Sequence, residues 1–267
     1  MVLAVAPNGA RKTREDHPAL PITPEEIART AAACTEAGAA MIHLHVRDRD
    51  GRHSLDPSGY RDAMAAVRRE VGNRLLIQVT SEAVGRYQPP EQMAMVRELK
   101  PEAVSLAVRE IVPDQAHEPA AAEFLAWMLG EGIMVQYILY SEADLARFDD
   151  LIRRGVVPGD RHSVLFVLGR YSKDQTSSPT DLLPYLAANR KDHVWSLCAF
   201  GPRETACAVA AAALGGHARV GFENNFYLPD GSLAPDNAAS VAAAAAGARA
   251  IGRPLADGDS ARALMAP

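Results

Sequence analysis

Two histidines, His43 and His45, lie two positions apart at the end of an apolar run, in the sequence Met-Ile-His-Leu-His-Val-Arg-Asp of residues 41–48. If this run is a β-strand, successive side chains alternate between its faces, so both imidazoles point the same way. Two adjacent imidazoles supply half of a zinc site. Glu223 is the candidate third ligand, because two imidazoles and one carboxylate form an open set that suits catalytic zinc.

The elements that must position these side chains alternate between short apolar runs and amphipathic stretches. The apolar runs predict eight strands, at residues 2–6, 40–45, 75–79, 103–107, 134–139, 164–168, 194–199 and 219–222. Each strand is followed by a predicted helix, at residues 23–38, 57–71, 90–99, 119–129, 143–153, 179–188, 203–214 and 237–251, and a last helix covers residues 260–265. Thr23 and Glu26 predict a capping box at the start of the first helix, with Pro24 in its first turn.

Eight strand–helix units without a break in composition predict a parallel sheet, and we expect residues 1–267 to form one α/β domain with the (β/α)₈ TIM-barrel fold. An open, doubly wound sheet is the alternative, and the count of eight argues against it. Chemistry in such barrels takes place at the carboxyl ends of the strands. The polar residues predicted at those ends include Asn8, Thr80, Ser81, Glu82, Ser105, Gln136, Arg170, Arg203, Arg219 and Asn224.

The alternative interpretation of His43 and His45 is a pair of strand histidines that make only local hydrogen bonds. Their position at the expected functional end favours the metal site, and Arg47 and Asp48 could act as hydrogen-bond partners of the ligands. The remaining histidines do not compete. Three precede strands at the opposite end of the barrel, and three lie in loops where we expect solvation; in this order they are His162, His193, His217, His17, His53 and His117.

Composition limits the classes of partner. The net charge of −5 provides no positive field for nucleic acid. The three cysteines, Cys34, Cys198 and Cys207, form no CxxC pair, so we expect no disulfide framework and a cytoplasmic location. We expect no signal peptide and no membrane span, because the apolar stretches are too short.

Seven segments carry a resemblance to known proteins, at residues 6–10, 20–26, 43–48, 100–102, 166–169, 215–225 and 251–256. Their sequences, and their order along nearly the whole chain, resemble the β-keto acid cleavage enzyme (BKACE) family, the 3-keto-5-aminohexanoate cleavage enzymes among them. The resemblance implies zinc-dependent (β/α)₈ enzymes that form homo-oligomers, commonly tetramers. Such enzymes convert a β-keto acid and acetyl-CoA into acetoacetate and a new CoA thioester, with zinc holding the keto acid and stabilising its enolate.

The resemblance also implies roles for individual residues. His43, His45 and Glu223 match the zinc ligands, and Arg219 matches an arginine that orients the adjacent acid. Thr80, Ser81 and Ser105 match hydroxyl residues near the substrate, and we assign Asn8 and Gln136 to the same group. The cations expected at the mouth could bind CoA phosphates or a substrate carboxylate, or could simply be solvated. They are Arg11, Arg109, Arg170, Lys173 and Arg203, of which we select Arg170 and Arg203 for CoA.

The chain departs from the family pattern at its acid–base groups, so the resemblance implies a divergent member. Asn224 stands where the family has an aspartate that acts as base, and a carboxamide cannot accept a proton at neutral pH. Residues 81–83 replace a Thr-Gly-Gly sequence, residues 135–138 lack the family's carboxylates, and residues 170–174 replace a glycine-rich loop. We therefore consider Glu82 a replacement base. Alternatively, it pairs with a mouth arginine (Arg11, Arg109 or Arg170) and takes no part in catalysis.

Three functions remain open at this stage. The first is β-keto acid cleavage with acetyl-CoA, or the same zinc chemistry in a divergent relative. The second is a zinc hydrolase or retro-aldol lyase that acts on a keto acid without CoA, which the loss of the glycine-rich loop favours. The third is an inactive paralogue that only binds its ligand, which Asn224 favours.

Overall fold

The computed structural model describes residues 1–266 and has a closed barrel of eight parallel strands. The barrel strands are β1 (Leu3–Val5), β2 (Met41–Leu44), β5 (Leu76–Thr80), β6 (Ala103–Ala107), β7 (Met134–Leu139), β8 (Ser163–Leu168), β9 (Val194–Ala199) and β10 (His217–Val220). Strand β1 closes the ring by pairing with β10 on one side, where Leu3 aligns with Ala218, and with β2 on the other, where Ala4 aligns with Met41. The predicted (β/α)₈ barrel is confirmed.

A short antiparallel hairpin follows β2 and lies outside the barrel. It consists of β3 (Val46–Arg47) and β4 (His53–Ser54), and pairs Arg47 with His53. The turn between them is stabilised by the Asp48 carboxylate, which accepts hydrogen bonds from the backbone amides of Asp50 and Arg52. This hairpin was absent from the sequence prediction, and it returns the chain to the end of β2.

Helices surround the barrel at the predicted places, but the helix Val108–Ile111 was not predicted, and the helix predicted at residues 179–188 begins with a 3₁₀ turn over Pro179–Leu182. Their bounds are α1 (Pro24–Ala37), α2 (Pro57–Val71), α3 (Pro89–Leu99), α4 (Val108–Ile111), α5 (Glu118–Gly130), α6 (Glu142–Arg153), α7 (Leu183–Ala188), α8 (Glu204–Ala213), α9 (Asn237–Ala250) and α10 (Gly258–Met265). The capping box of α1 is confirmed: Thr23 Oγ1 accepts from the Glu26 amide, and Glu26 accepts from the Thr23 amide. None of the helices within residues 1–266 has the length and apolar character that crossing a membrane requires.

The strand residues form two distinct cores because neighbouring side chains point to opposite faces. Outward residues such as Ile42 and Leu44 pack with the helices in the largest apolar cluster. Inward residues close the lower end of the barrel in a second apolar cluster that includes Met41, Leu76 and Met265. Cys34, Cys198 and Cys207 are all buried and free.

A polar layer fills the barrel interior above this apolar floor. Gln78 Nε2 donates to Gln136 Oε1 at 3.3 Å, and Gln136 Nε2 donates to Ser196 Oγ at 3.3 Å. These residues come from β5, β7 and β9, which are alternate strands, so the contacts cross the inside of the barrel as layered packing requires. The layer supports the open, carboxyl end of the barrel from below.

Candidate active site

Three potential metal ligands converge at the carboxyl end of the barrel. His43 Nε2 lies 3.0 Å from His45 Nε2, and Glu223 Oε2 lies 3.6 Å from the former and 3.3 Å from the latter. Both histidines are buried, and the side chain of Glu223 is 14% exposed. The structure therefore brings together the three residues that the sequence predicted as ligands.

The geometry and donor set of this cluster fit a zinc ion. Tetrahedral zinc with bonds of about 2.0–2.1 Å places its ligand atoms about 3.3–3.4 Å apart. The observed distances of 3.0, 3.3 and 3.6 Å lie around that value. Glu223 Oε2 is buried and accepts no hydrogen bond in residues 1–266, although buried carboxylate oxygens normally have partners. Two nitrogens and one oxygen also match the ligand chemistry of zinc and leave a coordination position for substrate.

Glu223 is held by an arginine one level lower in the barrel. Arg219 Nη2 donates to Glu223 Oε1 at 2.9 Å, which leaves Oε2 to face the histidines. Burial alone would raise the pKa of the Glu223 carboxyl, but the charge of Arg219 holds it well below its usual value. The carboxylate is consequently charged at neutral pH and ready to bind a cation.

Two close approaches of the backbone bring Glu223 into position. Predicted strand eight covered residues 219–222, but β10 ends at Val220 and Glu223 lies in the turn that follows. The chain turns at Gly221, which has φ 133° and leaves space for Ala6 O only 2.6 Å from where a Cβ would stand. Gly9 has φ 57°, and a Cβ there would lie 2.6 Å from Glu223 Cγ. Both glycines are needed because any side chain would collide.

The histidines have partners other than those expected. His43 Nδ1 lies 2.9 Å from Gln78 Oε1, and His45 Nδ1 lies 3.4 Å from His53 Nδ1. Arg47 instead donates to backbone carbonyls of the loop after β1, including that of Gly9, and so orders one wall of the site. Burial lowers the pKa of His43 well below its usual value and that of His53 to about 3, so both rings are neutral at neutral pH.

A cavity opens above the candidate metal ligands. Of the predicted site residues and mouth cations, those that line it are Arg11, His43, Thr80, Glu82, Arg170, Arg219 and Glu223. Apolar residues from the later strands complete the wall, among them Ala107, Ile138, Tyr140, Val167 and Phe200. The remaining predicted residues lie outside this lining: Asn8, His45, Ser81, Ser105, Arg109, Gln136, Lys173, Arg203 and Asn224.

Several of these residues support the site from behind. Asn8 Nδ2 donates to the carbonyl of His45 at 3.3 Å, and Ser105 Oγ lies 3.5 Å from His43 Nδ1. Ser81 Oγ donates to the Ser105 carbonyl at 3.3 Å. Gln136 belongs to the polar layer below, where it also donates to Ser163 Oγ at 3.4 Å. These contacts order the strand ends.

Glu82 reaches the cavity close to the candidate ligands. Its Oε2 lies 4.0 Å from His45 Nδ1, and its side chain is 21% exposed. None of the arginines in residues 1–266 forms an ion pair with it within 4.0 Å. Arg109 is instead bound by Asp144 at 2.5 Å. The arrangement leaves the Glu82 carboxylate accessible from the cavity.

The mouth arginines differ in their availability. Arg170 lines the cavity with its guanidinium 5.1 Å from the centre of the Phe200 ring. Arg203 is exposed and donates to Ser178 Oγ at 3.1 Å. Arg170 is therefore the better placed of the two selected cations to meet a ligand in the cavity.

Glu204 is a buried acidic residue that the sequence interpretation missed. It begins α8, is 1% exposed, and accepts hydrogen bonds at Oε1 from the Gly221 amide at 3.0 Å and Asn224 Nδ2 at 3.2 Å. Burial raises the pKa of Glu204 to about 8. Asn224 thus anchors the Glu223 turn to this carboxyl group. The available signal was a glutamate at a predicted strand–helix junction, which alone is common on surfaces.

The expectation for two loop histidines was wrong. His53 is 3% exposed because the hairpin folds it against His45, and His17 is 2% exposed because it packs on the rings of Phe222 and Phe226. The three histidines assigned to the opposite end do lie there: His162 and His193 immediately precede β8 and β9, and His217 begins β10.

Comparisons with known proteins find relatives that match nearly the whole chain. The model of the beta-keto acid cleavage enzyme family matches residues 1–266. A 3-keto-5-aminohexanoate cleavage enzyme from Fusobacterium nucleatum is 29% identical over 270 residues, which cover 99% of this chain and 97% of that protein. A 3-oxoadipate:acetyl-CoA acetyltransferase from Cupriavidus necator is 30% identical over 277 residues, covering 99% and 94%. The apo structure of ObcA shares the fold, with a TM-score of 0.74 and 16% identity over 93% of this chain and 65% of that one.

Proposed function

Because the chain belongs to the β-keto acid cleavage enzyme family, we propose that it is a zinc-dependent enzyme that condenses a β-keto acid with acetyl-CoA and releases acetoacetate and a new acyl-CoA. The observation that carries the zinc assignment is the convergence of His43 Nε2, His45 Nε2 and Glu223 Oε2 within 3.6 Å of one another. Zinc at this point would polarise the keto and carboxylate oxygens of the substrate.

Arg219 supports the binding of an acidic substrate beside this cluster. Its Nε and Nη1 are buried and have no hydrogen-bond partner in residues 1–266, although it lines the cavity. Burying unpaired donors of a charged group is costly unless a ligand satisfies them. A substrate carboxylate in the cavity would be attracted by the charge of this guanidinium and would accept a hydrogen bond from one of these donors, which lie on different edges of the group.

Glu82 is our proposed base for removing the α-proton of the keto acid. Its carboxylate faces the cavity within 4.0 Å of a candidate metal ligand and lacks an arginine partner among residues 1–266. Asn224 cannot perform this step because its amide is not basic, and its Nδ2 is bound to Glu204. Replacing Glu82 with Gln retains the shape and removes the basicity, so turnover should fall at least 100-fold. Full turnover in Glu82→Gln would eliminate this role.

We propose that the CoA thioester enters the cavity between Arg170 and the apolar wall formed by residues of β6, β7 and β8. The wall formed by Ala107, Ile138 and Val167 suits an acyl chain, and the Arg170 guanidinium suits a phosphate or the substrate's distal acid. Arg203, which lies outside the cavity lining, is a more distant candidate for the CoA phosphates. We also propose that the protein is a homo-oligomer, which light scattering would test.

The decisive experiment combines metal analysis with a turnover screen. Purified protein should contain one zinc per chain and should form acetoacetate from β-keto acids only when acetyl-CoA is present. Glu223→Gln should lose zinc, whereas His162→Gln, a substitution at the opposite end of the barrel, should retain it. Zinc with turnover that needs no CoA would indicate a hydrolase or lyase. Zinc without turnover on any substrate would indicate a binding protein, and absence of zinc would refute the metal site.

A further inference from the structure

His53 forms a second layer behind the candidate ligand His45. Its Nδ1 lies 3.4 Å from His45 Nδ1, and its Nε2 lies 2.9 Å from the backbone carbonyl of Glu82. The two rings are 5.1 Å apart between centroids, and His53 is 3% exposed. The three groups therefore form a line that runs from a backbone carbonyl, through two imidazoles, to the candidate metal position.

Hydrogen-bond chemistry fixes where the protons lie along this line. A carbonyl oxygen only accepts, so His53 Nε2 must carry a proton to bond with Glu82 O. A neutral imidazole then has its lone pair on the other nitrogen, so His53 Nδ1 is an acceptor. His45 Nδ1 must accordingly be the donor between the two rings. The remaining nitrogen, His45 Nε2, presents its lone pair to Glu223 Oε2 and the candidate metal position.

The same reasoning applies to the other histidine ligand. Gln78 Oε1 accepts from His43 Nδ1 at 2.9 Å, while Gln78 Nε2 donates to Gln136 Oε1 at 3.3 Å. With the Gln78 amide in this orientation, His43 Nδ1 carries the proton and the His43 Nε2 lone pair is free. His43 and His45 thus direct their Nε2 lone pairs at the same point. The proton on the other nitrogen of each ring is held by a different neighbour, the Gln78 amide for His43 and the His53 imidazole for His45.

We propose that His53 is a positioning residue that holds His45 in its metal-binding tautomer. The backbone carbonyl of Glu82 fixes the tautomer of His53, and His53 in turn fixes the tautomer of His45. This inference rests on the proposed zinc site. The hairpin supplies the rigidity that the role needs: Arg86 Nη1 donates to the His53 carbonyl at 3.3 Å, and the Tyr87 ring packs edge-on against His53 at 6.2 Å. Partners that orient metal-bound histidines in this way raise metal affinity.

Glu82 is the competing acceptor for the His45 proton. Its Oε2 lies 4.0 Å from His45 Nδ1, which exceeds hydrogen-bond distance, whereas His53 Nδ1 lies at 3.4 Å. If Glu82 oriented His45 instead, removing its charge would change metal affinity and removing the His53 acceptor would not. The two possibilities therefore predict opposite results for substitutions at the two positions.

The test uses full-length protein, stripped of metal and titrated with zinc against a chromophoric chelator. His53→Phe keeps a buried ring but removes the acceptor, and should weaken zinc binding about 10–100-fold. His53→Asn offers a carboxamide oxygen near the original Nδ1 position and should restore most of that loss. Glu82→Gln and the control His162→Phe should both bind zinc as the wild type does. Thermal unfolding of each metal-free variant verifies that it is folded.

A second readout follows the tautomer without metal. In metal-free protein labelled with ¹⁵N-histidine, the His45 Nδ1 should carry the proton, and His53→Phe should give a mixture of tautomers. Equal zinc affinity and an unchanged His45 tautomer in His53→Phe would overturn the positioning role, as would affinity loss in Glu82→Gln alone. Wild-type protein that binds no zinc would refute the proposed function, whereas the tautomer measurement would still report on His53.

Discussion

Replacing Glu204 with glutamine should make the protein less sensitive to alkaline pH. The carboxyl group lies buried at the start of α8, where burial raises its pKa from 4.5 to about 8. In the unfolded chain the group returns to its ordinary value near 4.5. Between these two values the folded state binds a proton that the unfolded state has lost, so stability decreases as pH rises.

The magnitude follows from the two pKa values. Each pH unit between them costs about 1.4 kcal/mol, and the loss stops above the folded value of about 8. Glutamine resembles the protonated acid at every pH and retains an oxygen to accept from the Gly221 amide and Asn224 Nδ2. The stability difference between Glu204→Gln and wild type should therefore widen by about 3 kcal/mol between pH 6 and pH 9.

Urea denaturation of metal-free protein at several pH values measures this difference directly. Glu70→Gln, at an exposed position in α2, serves as a matched control and should show no widening. The test depends on how the stability difference changes between pH 6 and pH 9, and not on its value at one pH. Any effect of the substitution that does not depend on pH, such as a change in packing around the amide, cancels in that comparison. A difference for Glu204→Gln that stays constant from pH 6 to pH 9 would show that Glu204 is ionised in the folded state and would refute the reasoning.

Three further substitutions test other parts of the site. Gly9→Ala should lower stability by about 1–3 kcal/mol and zinc affinity about tenfold or more, because Gly9 has φ 57° and the new Cβ would displace Glu223. Denaturation measures the stability and chelator competition measures the zinc affinity. An unchanged zinc affinity would contradict the close approach of Gly9 to Glu223. Asn224→Asp should destabilise the protein, increasingly at high pH, because a second carboxylate replaces the Asn224 amide that donates to Glu204 Oε1. A gain in stability would be inconsistent with this hydrogen bond. Arg170→Gln should raise the KM for acetyl-CoA about tenfold with little effect on kcat, and steady-state kinetics showing an unchanged KM would remove its role in CoA binding.

The sequence predicted the order of elements well because strand and helix periodicities are local. The sequence also predicted that His43, His45 and Glu223 lie close together, because barrel topology places the carboxyl ends of all strands at one rim. Strand ends were less certain: the apolar pair Gly221-Phe222 extends the pattern of β10, but the positive φ of Gly221 ends the strand. Local pattern carries no information about such a turn.

The residues that support the ligands were missed for a different reason. Gln78 lies opposite His43 in the register between β2 and β5, and Glu204 contacts Asn224 from another strand–helix unit. His53 was expected in solvent because nothing in its neighbouring residues shows that a hairpin returns it to β2. Each of these contacts depends on which distant segments become neighbours, and that information exists only once the fold is specified.

The position of the site beside β1 has a consequence for how the chain folds. His43 lies in β2 and His45 directly follows it, on one side of β1, whereas Glu223 follows β10 on the other side. The ligands therefore come from an early and a late part of the chain. The complete set forms only when the last barrel strand docks and the ring closes, a step that carries the entropy cost of a long loop. Zinc would then bind the closed ring and not earlier intermediates, stabilising it by mass action. The rate of zinc uptake during refolding would therefore report when the barrel closes.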